Sequence, residues 1–156
     1  MSAFKVVAGR HHDRLIAAAK SLQPIATAVA YPCDETSLKG AVEAGEAGLI
    51  KPILVGPKSK IAAVAKEFSL DLGKIEIVDV PHSQAAAEKA VELVRTGKAD
   101  LLMKGSLHTD ELLSEVMKRE TGLRTGRRIS HVFVMDVPGH AQTLFITDAA
   151  VNIAPD

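Results

Sequence analysis

The chain has 156 residues, 47% hydrophobic and 24% charged, with 19 basic and 19 acidic side chains that cancel. That balance fits one globular domain or a compact pair, and excludes a disordered tail, a collagen-like repeat and a disulfide scaffold. A net charge of +0 and 3% aromatics give no global case for nucleic acid or an anionic membrane surface. The single cysteine cannot close an internal disulfide, which fits a reducing compartment. No targeting segment and no apolar run near the ~20 residues that span a bilayer is read, so the expected location is cytoplasmic.

In chain order, the first predicted element is a helix over 13–22 that stops before Pro24. A strand over 27–31 follows. Leu38, Val42, Gly45 and Leu49 then share a helical face, with Asp34 or Ser37 as N-cap. After a strand at 53–55, Ile61, Val64, Ala65 and Phe68 mark a second helix following Ser59. Residues 75–80 read as a strand, and Ser83, Ala87, Ala90, Val91 and Val94 as a helix closed by Gly97. A strand at 101–103 leads into a helix with Leu112, Leu113, Val116 and Met117 on one face. Thr109 is its expected cap, Asp110 and Glu111 occupy the positive first turn, and Gly122 lies past its end. The runs at 53–55 and 101–103 lack alternation, so both are expected to be buried on two faces. Repeated strand–helix units predict an α/β fold, a mostly parallel sheet in a three-layer αβα arrangement.

Beyond Gly122 the pattern changes. Strands over 129–136 and 143–147 are joined by Val137-Pro138-Gly139-His140-Ala141-Gln142, which reads as a hairpin. The basic stretch 124–128 is the expected linker. Residues 1–123 are therefore read as an α/β domain, and 124–156 as a linker and the start of a second, truncated domain.

Ligands of parallel sheets gather beyond the carboxyl ends of the strands. Three junctions qualify. At the first, a strand delivers Lys104, Gly105, Ser106, His108 and Thr109 to a helix amino end, where free N–H groups, the dipole and an ammonium favour a phosphate or carboxylate. The same residues would also serve as turn, cap and solvated surface. Val55-Gly56-Pro57-Lys58-Ser59-Lys60 is either a second anion site or a capped helix. Cys33, near a helix start, is either an activated nucleophile or a small buried apolar residue. Arg124, Arg127 and Arg128 would clamp phosphate or form a solvated linker. No GxxxxGK[ST], no GxGxxG after the first strand, no HExxH and no paired cysteines occur, which argues against a P-loop, a nicotinamide site and a metal site.

Taken together, Ile53-Leu54-Val55-Gly56-Pro57, the run Leu102-Met103-Lys104-Gly105-Ser106-Leu107-His108-Thr109, Arg128-Ile129-Ser130-His131-Val132-Phe133-Val134-Met135-Asp136 and Ile146-Thr147-Asp148-Ala149-Ala150-Val151-Asn152 resemble the phosphate acetyl/butyryl transferases. The likeness runs from about Ala26 to the last residue. It implies an isopropylmalate-dehydrogenase-like fold with a cleft between two α/β domains, of which this chain is the amino-terminal half, usually assembled as a homodimer. It implies acyl transfer between coenzyme A and inorganic phosphate, with coenzyme A a substrate and no resident cofactor or metal. The residues matched to the family's substrate site are Lys104, Gly105, Ser106, His108, Thr109, Arg128, Ser130, Asp148 and Asn152. The catalytic base is expected beyond Asp156. Some members carry an Arg on the helix after the loop; here 110–117 has none, which leans toward the butyryl-type branch. A catalytically silent module that binds phosphate or coenzyme A, and a nicotinamide-dependent dehydrogenase, remain the alternatives.

Overall fold

The computed structural model describes residues 10–137, 140, 142–148 and 151. Its packing divides the chain into two units, Leu22–Arg124 and Met1–Ser21 with Thr125–Asp156.

The first unit is a parallel sheet with a helical layer on each face. In chain order it runs β1 (Ile25–Ala30), α2 (Glu35–Glu46), β2 (Ile50–Gly56), α3 (Lys58–Glu67), β3 (Glu76–Asp79), α4 (Ser83–Arg95), β4 (Leu101–Lys104) and α5 (Thr109–Val116), α1 being the helix Arg10–Lys20 of the other unit. The strand order is β3-β2-β1-β4, every pairing parallel. Side-chain alternation sorts the core. Val29 and Leu54 join Leu38, Ala41, Val42, Ile61 and Ala65 beneath α2 and α3. Ala28, Ala30 and Val55 join Ala86, Ala87, Ala90, Val91 and Leu112 beneath α4 and α5. The alanines of α4 let its backbone approach β1 and β2 closely. The expected three-layer α/β arrangement is therefore present.

One burial expectation is corrected. Residues 101–103 are covered on both faces but not fully buried: β4 is an edge strand here and Leu101 is 46% exposed. The run is apolar because Leu102 packs against the α4/α5 core and Met103 against the α2/α3 core. A strand sandwiched between helical layers looks continuous in sequence even when one of its sides is unpaired.

The helix starts also depart from local reading. Asp34 caps α2 as expected, accepting from Ser37 N at 2.8 Å. By contrast, α3 begins at Lys58 after Pro57, and the carboxylate of Asp79, at the end of β3, accepts the Lys58 N–H at 2.8 Å. His82 caps α4, its Nδ1 accepting from Ala85 N at 3.2 Å. His108 rather than Thr109 occupies the cap position of α5.

In the second unit, β5 (Val132–Met135) pairs antiparallel with β6 (Leu144–Thr147), the predicted hairpin. Helix α1 begins three residues before its expected start because Asp136 accepts from both His11 N and His12 N at 3.2 Å. Among the described residues of this unit, Phe133 and Phe145 remain 51% and 67% exposed. A two-stranded ribbon of that kind has little stability by itself. No helix among the described residues is long and apolar enough to cross a membrane.

Candidate binding crevice at the sheet switch point

The order β3-β2-β1-β4 reverses direction between β1 and β4, because β2 and β3 were added on one side of β1 and β4 on the other. Connections leaving the carboxyl ends of β1 and β4 therefore diverge onto opposite faces and open a crevice. Two loops line it, 31–34 after β1 and 105–108 after β4.

The loops are laced together. Gly105 N donates to Ala30 O at 2.8 Å and Ser106 N to Tyr31 O at 2.9 Å. The Ser106 hydroxyl donates to Tyr31 O at 2.9 Å and accepts from Cys33 N at 3.3 Å. Gly105 is required by contact: a Cβ there would stand 2.4 Å from Ala30 O and 2.5 Å from Tyr31 O. Tyr31 has φ 55, the left-handed region that costs a non-glycine residue about 1–2 kcal/mol. Its carbonyl accepts from Ser106 N, Ser106 Oγ and Cys33 N, while its own N–H donates to Val55 O at 2.7 Å. Several strong bonds thus hold one strained peptide.

Lys104, the last residue of β4, is exposed and donates from Nζ to Gly105 O at 3.1 Å and Leu107 O at 2.9 Å. Two of the ammonium's three donors steady its own loop, which leaves the third for a ligand. His108 and Thr109 are exposed at the start of α5. The expectation of wholly free N–H groups there is modified. Glu111 Oε2 accepts the His108 N–H at 3.0 Å, and Oε1 accepts from Ser83 Oγ at 2.7 Å. Those two bonds, the Ser83 hydroxyl first, hold the Glu111 carboxyl below its usual range. Across the crevice, Asp34 is likewise held low, by the Ser37 hydroxyl first, then the Ser37 amide, with a smaller contribution from Lys104.

Cys33 is not an activated nucleophile. Burial pushes its thiol up to about 11, against a smaller opposing pull from Lys60. At the junction after β2, Lys60 Nζ donates to Tyr31 Oη at 3.1 Å and lies 5.7 Å from the ring centroid. The helix end there is partly occupied by Asp79, so capping accounts for its amide without a ligand.

In the other unit, the hairpin brings two matched residues together. Ser130 Oγ donates to Asp148 Oδ1 at 2.8 Å, and Asp148, at φ 53, donates its N–H to His131 O at 3.2 Å. Arg128 is exposed. Asn152 lies outside the described residues. The structure thus groups Lys104, Gly105, Ser106, His108 and Thr109 in one loop, and Ser130 with Asp148 in another unit. Tyr31 escaped sequence reasoning, since nothing local marks a left-handed tyrosine, and Lys60 was read only as part of the second junction. Among the described residues no cluster of His, Cys, Asp and Glu suits a metal ion.

A cavity of about 670 Å³ lies elsewhere, at the amino ends of the strands, walled by residues including Ala26, Val42, Ile50, Pro52 and Ile75. Its lining also includes Glu46, Lys51, Asp71, Lys74 and Glu76, but it lies at the opposite end of the sheet from the strand-to-helix turns. Parallel sheets place their ligands at the carboxyl end, where the crevice lies.

Residues 82–156 match the family model described as phosphate acetyl/butaryl transferase. A phosphate acetyltransferase of Rhizobium meliloti is 70% identical over 93% of this chain and 46% of its own length. A phosphate butyryltransferase of Clostridium beijerinckii is 42% identical over 94% of this chain and 49% of its own. A phosphotransacetylase structure from Streptococcus pyogenes shares the fold at TM-score 0.75 and 16% identity, over 92% of this chain and 53% of that one. The chain spans about half the length of the curated relatives it matches.

Proposed function

We propose, from its likeness to the phosphate acetyl/butyryl transferases, that this chain belongs to an enzyme moving an acetyl- or butyryl-type group between coenzyme A and inorganic phosphate. The coenzyme A thiolate attacks the carbonyl carbon of an acyl phosphate; the new C–S bond forms as the C–O bond breaks, and phosphate leaves with the electron pair. The reverse direction makes acyl phosphate. Coenzyme A is a substrate here, and no resident cofactor is invoked. The thiol proton goes to a base from the family's later segment, beyond Asp156.

The crevice's part is to hold and neutralise the phosphate-bearing end. The observation that carries this reading is the loop of Lys104, Gly105 and Ser106, pinned to Tyr31 at the switch point with an ammonium at its mouth. Preorganised donors of that kind lower the barrier most where charge grows on the departing phosphate. His108 and Thr109 flank it on α5. Arg128, Ser130, Asp148 and Asn152 are assigned to the same substrates, and the working assembly is assigned as a cytoplasmic homodimer that binds no nucleic acid.

Two measurements on the purified chain test the proposal: acyl phosphate formation from acetyl-CoA or butyryl-CoA with phosphate, and phosphate binding by calorimetry. Lys104→Met should weaken phosphate binding roughly tenfold with the fold intact, the worth of one charge-assisted contact. Unchanged affinity would remove the crevice from the reaction. Binding without turnover is the outcome expected while the base lies in the later segment; turnover by this chain alone would move the base into it and remove the silent-module reading, which the half-length match to the relatives keeps in play.

A further inference from the structure

The Ser106 hydroxyl carries one proton, and its two neighbours settle where that proton goes. Tyr31 O is a carbonyl and can only accept, so the 2.9 Å contact makes Ser106 Oγ the donor. The Cys33 N–H can only donate, so the 3.3 Å contact takes up one of the hydroxyl's lone pairs. The ionised oxygens of a phosphate group also only accept, and this hydroxyl has no second proton for them. What it does hold is a costly conformation. Tyr31, at φ 55, lies where glycine is at ease and a tyrosine is not. The Tyr31 carbonyl also takes the Ser106 N–H at 2.9 Å, so this peptide and the backbone of residue 106 are set against each other. The carbonyls on either side of Ser106, Gly105 O and Leu107 O, are the two that receive the Lys104 ammonium, at 3.1 and 2.9 Å.

We infer that Ser106 is a positioning residue and not a substrate contact: its hydroxyl holds the left-handed Tyr31 peptide against the loop after β4, and so fixes the Gly105 and Leu107 carbonyls that aim the Lys104 ammonium. The inference rests on the proposed function for its ligand, a phosphate group, and changes what Ser106 contributes to that site. It has a consequence that a substrate contact lacks. Glycine at residue 31 would adopt the same turn without strain, so the turn would persist without the hydroxyl. A hydroxyl that donated to phosphate would be needed whatever residue stood at 31.

The test is a double-mutant cycle in the full chain, read by calorimetric titration with inorganic phosphate. Ser106→Ala should weaken phosphate about three- to tenfold, the worth of one hydrogen bond, and Ser106→Thr, which keeps the hydroxyl, should restore most of it. In a Tyr31→Gly background, Ser106→Ala should leave the affinity within about twofold of Tyr31→Gly alone. Tyr31→Asn serves the same purpose should the glycine variant not fold, since asparagine tolerates the left-handed region better than most residues. A second readout needs no ligand: amide exchange at Gly105 and Cys33, followed by NMR, should quicken roughly tenfold in Ser106→Ala and not in Ser106→Thr. If Ser106→Ala costs as much affinity in the Tyr31→Gly background as in the parent, Ser106 touches the ligand and the inference is overturned while the proposed function stands. Unchanged phosphate affinity in Ser106→Ala, or unchanged amide exchange, overturns it equally. If the parent binds no phosphate, the proposed function fails and the inference falls with it; quickened exchange would then show that the ligand, and not the contact between the loops, had been misassigned.

Discussion

Gly105→Ala is the sharpest test of the crevice as built. The added methyl would stand 2.4 Å from Ala30 O, 2.5 Å from Tyr31 O and 2.6 Å from the Tyr31 carbonyl carbon. All three are backbone atoms of β1 or the turn that follows it, so no flexible side chain can give way. The loop must lift by about 1 Å to reach ordinary contact. Lifting lengthens three bonds, Gly105 N to Ala30 O at 2.8 Å, Ser106 N to Tyr31 O at 2.9 Å and Ser106 Oγ to Tyr31 O at 2.9 Å. With about 1 kcal/mol net for each bond and 1–3 kcal/mol for the forced shift, the variant should lose roughly 4–6 kcal/mol. That is a large share of a domain's usual 5–15 kcal/mol. Urea unfolding followed by circular dichroism should show a lower midpoint at unchanged slope, with phosphate binding weakened in parallel. A midpoint shift worth less than about 1 kcal/mol would refute the close packing of these two loops and the argument built on it.

Other consequences can be measured independently. Gly122→Ala should destabilise by roughly 2–4 kcal/mol in the same unfolding assay, because a Cβ there would meet the carbonyls of Lys118 and Val116 at 2.4 Å just past α5. Asp79→Ala leaves the Lys58 amide without its carboxylate and should cost about 1 kcal/mol, whereas a change at Ser59 should cost much less. Asp34→Ala should cost a similar ~1 kcal/mol at neutral pH. Since the Asp34 carboxyl is depressed below 3.8 in the fold, its contribution is complete above that value and fades as pH falls through the folded one, so parent and variant should converge in acid titrations. Cys33, with its thiol near 11, should react far more slowly with a disulfide reagent at pH 8 than an unfolded control, and equal rates would contradict its burial.

Local chemistry was enough to establish the α/β class, the succession of strand and helix, the Asp34 cap and the hairpin after Gly122, since periodicity, caps and turn residues act over a few positions. The loop from Lys104 to His108 was visible too, as a lysine, glycine and hydroxyl between a strand and a helix. Other features arise only when distant segments meet. Strand order put β4 at an edge and placed the switch point between β1 and β4, facts that no window of sequence contains. The caps on α1 and α3 come from Asp136 and Asp79, more than twenty residues away in the chain. Tyr31 adopts a left-handed turn because Ser106, Cys33 and Val55 satisfy its peptide, and those partners exist only once the sheet has assembled. The residue types were legible in order; their partners were decided by packing, because strain and long-range hydrogen bonds depend on where the chain returns.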